Sequence, residues 1–255
     1  MIIRKASPKD FGQLVRLTAA EGWNYQIDDF VRLQETGCAT TLVAADGENV
    51  CCMITVFDYG DIGWISNVLV GTKSRGEGLG KRLIEEGIDS LSKKRAITLF
   101  TYRHAIEFYL KLGFKHEADY HFAKFLGHKG GVAMRAEGYD LVPMDREFFG
   151  YYRPGLLRML GGIGEVLSPA RGRGFAICRP DPVEAAVGPV VAEDRDAGLE
   201  LLYSALNRIG QGCTAVLPTM VDGMEEIETV SRLFLGDKPL LDRSRVFALT
   251  GLEYG

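Results

Sequence analysis

The sequence lacks the features that would indicate a membrane protein or a nucleic-acid-binding protein. No apolar run approaches the ~20 residues that span a bilayer, and the amino-terminal stretch MIIRKASPKD has no apolar signal-peptide core. The formal net charge of -4 leaves no excess of basic residues to neutralise phosphates. We therefore expect a cytoplasmic protein, a monomer or homodimer, that binds neither membranes nor nucleic acid.

Metal-binding patterns are missing as well. The five cysteines form no C-x-x-C pair, and the four histidines do not have helix-face metal spacing. Buried free thiols are the simpler interpretation of the cysteines, so we predict no metal site. The 255 residues are 46% hydrophobic and 25% charged, which is an ordinary globular composition with enough length for two small domains.

Glycine, in contrast, is concentrated where a helical pattern begins. Residues 74–83 read SRGEGLGKRL and follow the strand-like run IGWISNVLV. Each glycine inside a helix costs about 1 kcal/mol relative to alanine, so the run indicates a tight turn or a ligand close to the backbone. A strand, a glycine loop and a helix start are typical of phosphate binding, and Arg75 and Lys81 add positive charge. A strand-to-helix turn without a ligand is the simpler alternative.

Two nucleotide-binding motifs do not fit this loop. A Walker A loop requires Ser or Thr after its lysine, but Lys81 is followed by Arg82. A dinucleotide fingerprint requires G-x-G-x-x-G, which the glycine spacing does not match. A nucleotide-binding protein is therefore a disfavoured interpretation.

The apolar periodicities predict an α+β fold with a mixed, mostly antiparallel sheet flanked by helices. The predicted order is β-α-α-β-β-β-α-β-α-β-β over a first domain, residues 1–128. A glycine-rich linker, 129–140, leads to a second, smaller domain, 141–255, which repeats the order faintly. In this second domain the pattern predicts a helix over 225–234.

Two motifs resemble those of the GNAT-superfamily N-acetyltransferases. VLVGTKSRGEGLGKRLIE resembles the family's acetyl-CoA-binding motif, a Val, four residues, then Q/R-x-x-G-x-G/A, with Val70, Arg75, Gly78 and Gly80 in register. AIEFYLKLGF resembles a later helix-to-strand motif that includes Tyr109. The whole chain resembles GNAT proteins whose carboxy-terminal half is a degenerate GNAT-like domain.

This resemblance implies acetyl-CoA as co-substrate and an N-acetyltransferase reaction. Backbone N–H groups around Leu69 and Val70 would polarise the acetyl carbonyl. Tyr109 would be the general acid that protonates the departing sulfur, although a core aromatic is the alternative. Tyr102 stands where the family often has an asparagine that contacts the cofactor. The loop residues implied in pyrophosphate binding are Arg75, Gly76, Gly78, Leu79, Gly80 and Lys81.

The acceptor is expected to be a small-molecule amine or an amino-acid-like amine. We consider three candidates for the general base, with Glu21 preferred because it heads the loop EGWN; the other two are Asp61 and His104. Arg153 is the candidate for a substrate carboxylate, and an exposed helix charge is its alternative. The predicted acceptor-pocket residues are Trp23, Asn24, Tyr25 and, from the fourth strand, Trp64, Ser66 and Asn67.

The second domain has acidic residues where the first has its glycine loop. Asp194 and its neighbours in EDRDAGL would repel a pyrophosphate, and Gly198 is the one remaining glycine of the loop. Acidic residues are also ordinary helix-start residues. We predict that this domain does not bind CoA. For the whole chain, a CoA-binding sensor without catalysis is the alternative to an enzyme.

Overall fold

The computed structural model describes residues 1–136, 140–239 and 241–255, and the chain forms two compact units, residues 1–97 and 98–255. Part of the predicted linker, residues 137–139, lies outside the described residues. The predicted fold class is confirmed, because helices flank a mixed, mostly antiparallel sheet.

The first unit contains four strands that follow one another in space as they do in the sequence, all antiparallel. The strands are β1 (Ile2–Lys5), β2 (Ala39–Asp46), β3 (Asn49–Tyr59) and β4 (Ile62–Val70). The helices are α1 (Phe11–Ala19), α2 (Ile27–Glu35) and α3 (Leu79–Ser90). A 3-10 turn precedes α1, where the Asp10 carboxylate accepts the backbone N–H of Ser7 and pairs with Arg4.

The two faces of this sheet differ in what covers them. A side-chain carbon added at Gly87 of α3 would lie 3.0 Å from Ile54 Cδ1 and 3.2 Å from Val56 Cγ1, so α3 packs directly on that face. Successive side chains of a strand point to opposite faces. Thr55 and Ser66, which are buried, therefore belong to the face away from α3.

The second unit contains the remaining strands, which begin with β5 (Ala96–Tyr102) crossing from residue 97 to 98. Its spatial order is β5-β12-β6-β11-β10-β9-β8-β7, with β13 beside β10. The strands are β6 (Lys115–Phe125), β7 (Met134–Arg135), β8 (Glu165–Ser168), β9 (Gly174–Arg179), β10 (Ala186–Ala192), β11 (Thr214–Leu217), β12 (Met224–Gly236) and β13 (Val246–Ala248). The helices are α4 (Ile106–Leu110), α5 (Leu141–Phe148), α6 (Pro154–Ile163) and α7 (Arg195–Ile209).

The predicted helix over 225–234 is wrong, because these residues lie in β12. β12 is antiparallel to β6 along nearly the whole length of both strands, from Met224 opposite Phe125 to Phe234 opposite Lys115. The backbone hydrogen bonds of this ladder override the weak helical spacing of the apolar residues.

The compact units divide at a different place from the predicted domain boundary at residue 128. β6 lies between β11 and β12, so the strand that ends the predicted first domain belongs to the sheet of the second unit. The predicted division into 1–128, 129–140 and 141–255 stays a prediction about family domains.

Candidate functional site

The glycine loop joins the end of β4 to the start of α3, as the sequence predicts. Gly76 and Gly78 have φ of +83° and +75°, and a side-chain carbon at either would meet no atom within 4 Å. Backbone conformation, rather than crowding by the protein, therefore requires these two glycines. At Gly80 an added carbon would lie 3.2 Å from Val70 Cγ2, so this glycine lets α3 approach β4 closely.

The first turn of α3 presents free backbone donors. The first hydrogen bond of the helix runs from Arg82 N to Gly78 O at 3.1 Å. Within the part of the chain that the structure describes, no side chain caps this end, and the amides of Leu79, Gly80 and Lys81 have no backbone acceptor. Such N–H groups carry partial positive charge and can bind an anion.

Two cationic side chains flank the loop, as predicted. Arg75 Nε donates to the Val70 carbonyl oxygen at 3.0 Å, and its Nη2 forms an ion pair with Glu21. The Arg75 side chain is half exposed. Lys81 Nζ lies 3.7 Å from Glu85 Oε1 one turn along α3, an exposed pair that leaves the ammonium accessible to solvent.

The ion pair argues against the predicted role of Glu21 as general base. Its carboxylate is held by the Arg75 guanidinium, so taking up a proton would break this pair. Sequence reasoning missed the pairing because 54 positions separate the two residues.

The other two candidates for the general base lie apart from this ion pair. Asp61 is exposed in a turn, and the His104 ring stacks on Tyr102 with centroids 5.9 Å apart.

The structure brings several predicted acceptor residues together. Tyr25 Oη donates to Asn67 Oδ1 at 3.0 Å, and the rings of Trp23 and Tyr25 have centroids 6.4 Å apart. Asn24 is exposed, and its Oδ1 accepts the Gln26 amide at 3.4 Å. Trp64, in contrast, is fully buried, so its side chain has no exposed surface with which to contact an acceptor.

Two threonines that the sequence analysis did not single out belong to the same network. Asn67 Nδ2 donates to Thr55 Oγ1 at 3.5 Å, and the hydroxyls of Thr55 and Thr41 lie 3.2 Å apart. Hydroxyls at cross-strand positions of two otherwise apolar strands are the signal that could have identified them.

Tyr109 lies in α4 of the second unit and is buried with 8% of its surface exposed. Its ring packs edge-on against Phe108 and Phe114. Burial raises the pKa of Tyr109 to about 12. The phenol is therefore protonated at neutral pH, which a proton donor requires.

Arg153 does not support its predicted role in binding a substrate carboxylate. The side chain is fully buried, and its Nε and Nη2 each donate to the Asp145 carboxylate at 2.9 Å. Nη1 donates to Thr250 Oγ1 at 2.7 Å and to the Gly255 carbonyl oxygen at 3.2 Å. The guanidinium also lies 4.0 Å from the centroid of the Phe149 ring. All of its nitrogens are thus engaged inside the second unit.

The start of α7, which the sequence aligns with the glycine loop, is closed by the chain itself. Asp194 Oδ1 accepts the Ala197 amide at 2.9 Å and caps the helix. A side-chain carbon at Gly198 would lie 2.0 Å from the Phe247 ring, so that ring occupies the space above the glycine. The acidic residues are therefore helix-start residues, as the simpler interpretation of the sequence predicts.

β13 takes the place of β11 beside β10 along part of β10. β10 pairs with β11 at Ala186 and Thr214, whereas farther along it pairs with β13 at Val190 and Val191. The amide of Leu249, just after β13, donates to the Val216 carbonyl of β11 at 2.8 Å. The end of the chain thus lies between the two strands where they separate.

Two further observations concern the described residues as a group. No helix among them is long and apolar enough to cross a membrane. No cluster of three or more His, Cys, Asp or Glu side chains in residues 1–136, 140–239 and 241–255 has the arrangement of a metal site.

Comparison with known proteins gives matches to families and to structures. Two models described as acetyltransferase (GNAT) domains match residues 37–116 and 141–248. A proposed acetyltransferase from Pyrococcus horikoshii is similar at a TM-score of 0.83 and 17% identity, covering 100% of this chain and 95% of that one. A GCN5-related N-acetyltransferase from Sphaerobacter thermophilus is similar at a TM-score of 0.61 and 16% identity, covering 96% of this chain and 98% of that one.

These structural likenesses concern the fold, since both identities are low. No curated protein matches the chain. The two family models, one on either side of residues 117–140, show that the chain belongs to the GNAT acetyltransferases and carries two GNAT domains in tandem.

Proposed function

We propose that the chain transfers an acetyl group from acetyl-CoA to the primary amine of a small molecule, by direct attack in a ternary complex. The observation that carries the proposal is the uncapped start of α3, with its free amides beside Gly76 and Gly78. The acetyltransferase model over residues 37–116 supports it, because that segment includes the loop.

The donor set fits the chemistry of a CoA pyrophosphate. The amides of Leu79, Gly80 and Lys81 and the Arg75 guanidinium would hold the phosphates. The loop glycines, which have no side chain, leave room for the phosphates. Backbone N–H groups around Leu69 and Val70 would donate to the acetyl carbonyl oxygen. Acetyl-CoA would supply the activated acetyl group.

The proposed reaction forms one bond and breaks one. The amine nitrogen bonds to the acetyl carbon, the carbon–sulfur bond breaks, and the sulfur keeps the electron pair. Of the two protons that an ammonium group loses, one ends on the sulfur and one passes to solvent. Tyr109 is the proposed donor to the sulfur, on the resemblance of its motif, and its raised pKa of about 12 keeps it protonated. Its phenolate then regains a proton from solvent, so the net result is one amine proton on the sulfur and one in solvent. We assign proton uptake to water, because Glu21 is engaged by Arg75.

A CoA-binding sensor without catalysis is the second candidate. The engagement of Glu21 by Arg75 favours it, since the carboxylate preferred as a base is not free.

We further propose a reducing, cytoplasmic setting and a monomer or homodimer. The five cysteines support the setting, because all are free thiols, as is typical of reducing compartments.

Two measurements test the proposal. Thermal shift with acetyl-CoA, CoA and ATP is expected to show stabilisation by the first two only. Release of free thiol from acetyl-CoA, followed with a panel of amines, is expected to show turnover that depends on the amine. Stabilisation by CoA without turnover with any amine would favour the sensor, and no response to CoA would refute both candidates.

A further inference from the structure

Five uncharged polar side chains lie together in the first unit, and we call them the neutral cluster. They are Tyr25, Thr41, Thr55, Ser66 and Asn67. Hydrogen bonds of 3.0, 3.5 and 3.2 Å join Tyr25 to Asn67, Asn67 to Thr55, and Thr55 to Thr41. The cluster therefore places hydroxyls and an amide on the side of the sheet away from α3, where Thr55 and Ser66 are buried and the other three side chains are partly exposed.

The backbone at the centre of the cluster is in an unusual conformation. Asn67 has φ of +51°, and the pairing of β4 with β3 shifts register between Leu69 and Ser66. Asparagine tolerates this left-handed region better than most residues, and a bulge redirects a side chain from its regular place. Such conformations cluster at functional sites.

Ser66 adds an unmet hydrogen-bonding demand. The residue is 8% exposed, and in the described chain its buried Oγ has no hydrogen-bond partner. A buried hydroxyl without a partner is uncommon in a folded protein. A hydroxyl or carbonyl group of a ligand, or a water molecule, would satisfy it.

Two charged side chains that the sequence places near the acceptor are already engaged by other residues. Arg153, the candidate for a substrate carboxylate, is buried with Asp145. Glu21, which could hold a second ammonium group, is paired with Arg75. A charged substituent on the acceptor would therefore find neither partner available, whereas a hydroxyl group could pair with the unpartnered Ser66 hydroxyl of the neutral cluster.

We propose that the acceptor is an amine whose other groups are uncharged and rich in hydroxyls, and that the neutral cluster recognises those hydroxyls. This inference rests on the proposed function. The rings of Trp23 and Tyr25 support a cyclic acceptor, because aromatic faces pack well on the apolar C–H face of a saturated ring.

Matched amines test this inference by thiol release. A 2-amino-2-deoxyhexose and trans-2-aminocyclohexanol are compared with cyclohexylamine, which has a ring of the same size without hydroxyls, and with lysine and spermidine, which carry further charges. We expect kcat/KM to be at least tenfold higher for the two hydroxylated amines than for the other three. Equal or better use of cyclohexylamine, lysine or spermidine would overturn the inference and leave the proposed function standing.

A variant locates the recognition. Tyr25→Phe removes one hydroxyl and is expected to raise KM for the hydroxylated amines at least fivefold while leaving cyclohexylamine unchanged. Tyr203→Phe, a change of the same kind on α7, is the control and is expected to change neither. An equal effect of Tyr25→Phe on all amines would overturn the inference. If no amine supports thiol release although acetyl-CoA binds, the proposed function fails and the inference fails with it.

Discussion

The starts of α3 and α7 follow the same order of strand, loop and helix but are closed by different atoms. At α3 the cap is Gly78, and within the described chain no side chain reaches the first-turn amides. At α7 the Asp194 carboxylate takes the Ala197 amide, and the Phe247 ring covers Gly198. Next to α7, β13 lies between β10 and β11.

The difference shows how one supersecondary unit can serve as a binding site or as a structural element. A helix start binds an external anion when the chain leaves its amides free, and stops doing so when a side chain of the chain accepts them. The second unit satisfies with its own side chain the amides that the first unit leaves free, and in the proposed function acetyl-CoA accepts the latter. Four changes test this comparison.

A negative charge at Gly78 gives the largest expected effect on acetyl-CoA binding. Gly78→Asp imitates Asp194 by placing a carboxylate at the amides of α3, and aspartate tolerates the left-handed backbone there. We expect acetyl-CoA affinity in a calorimetric titration to fall about 100-fold, or about 3 kcal/mol. Gly47→Asp adds the same charge at a positive-φ glycine of the β2–β3 turn and should leave affinity intact. Affinity within threefold of the original for Gly78→Asp would contradict the comparison.

Breaking the buried ion pair of the second unit should cost stability. Asp145→Asn leaves the buried Arg153 guanidinium without its counter-charge, so the free energy of unfolding should fall by about 3–5 kcal/mol. Urea denaturation measures it. Glu147→Gln on the same helix breaks an exposed pair with Arg173 and should cost under about 1 kcal/mol. If both variants lose the same amount, Arg153 is not the structural residue that its contacts indicate.

Alanine at a first-turn glycine of each helix should separate the two starts by packing. Gly198→Ala must displace the Phe247 ring, which should cost about 1–3 kcal/mol of unfolding free energy after partial compensation by helix propensity. Gly80→Ala meets only Val70 Cγ2 at 3.2 Å, so its cost should stay under about 1 kcal/mol. Thermal denaturation of the pair checks the order, and a larger loss for Gly80→Ala would reverse it.

The smallest expected effect concerns the ion pair beside the loop. Glu21→Gln removes the charge that holds Arg75, so acetyl-CoA affinity should change by about threefold or less, as for an exposed pair. Glu77→Gln, in the same loop, controls for the general loss of negative charge. The dependence of kcat on pH should be the same in Glu21→Gln as in the original chain. Loss of the acidic limb of the profile, where protonation of a base lowers kcat, would restore Glu21 as the general base.

The features that the sequence predicted correctly depend on residues close together along the chain. The loop could be predicted because glycine spacing and helix periodicity are properties of neighbouring residues. The same holds for the Asp194 helix start, since a cap and its amide are three residues apart.

Long-range pairings account for what the sequence did not predict. Residues 225–234 become a strand because β6 offers a partner about 100 residues earlier. Arg153 is buried because Thr250 and Asp145 reach it, one of them 97 positions away. Glu21 and Arg75 meet only when α1 and β4 are packed in the first unit. No local pattern records these contacts.

The place of β12 also sets the order of events during synthesis. β6 is complete in sequence at Phe125, yet its partner strand ends only at Gly236, so their ladder must wait until about 100 further residues have left the ribosome. During that interval the unpaired edge of β6 is open to other chains. Conditions that slow translation or crowd nascent chains should therefore affect the yield of this protein more than its final stability.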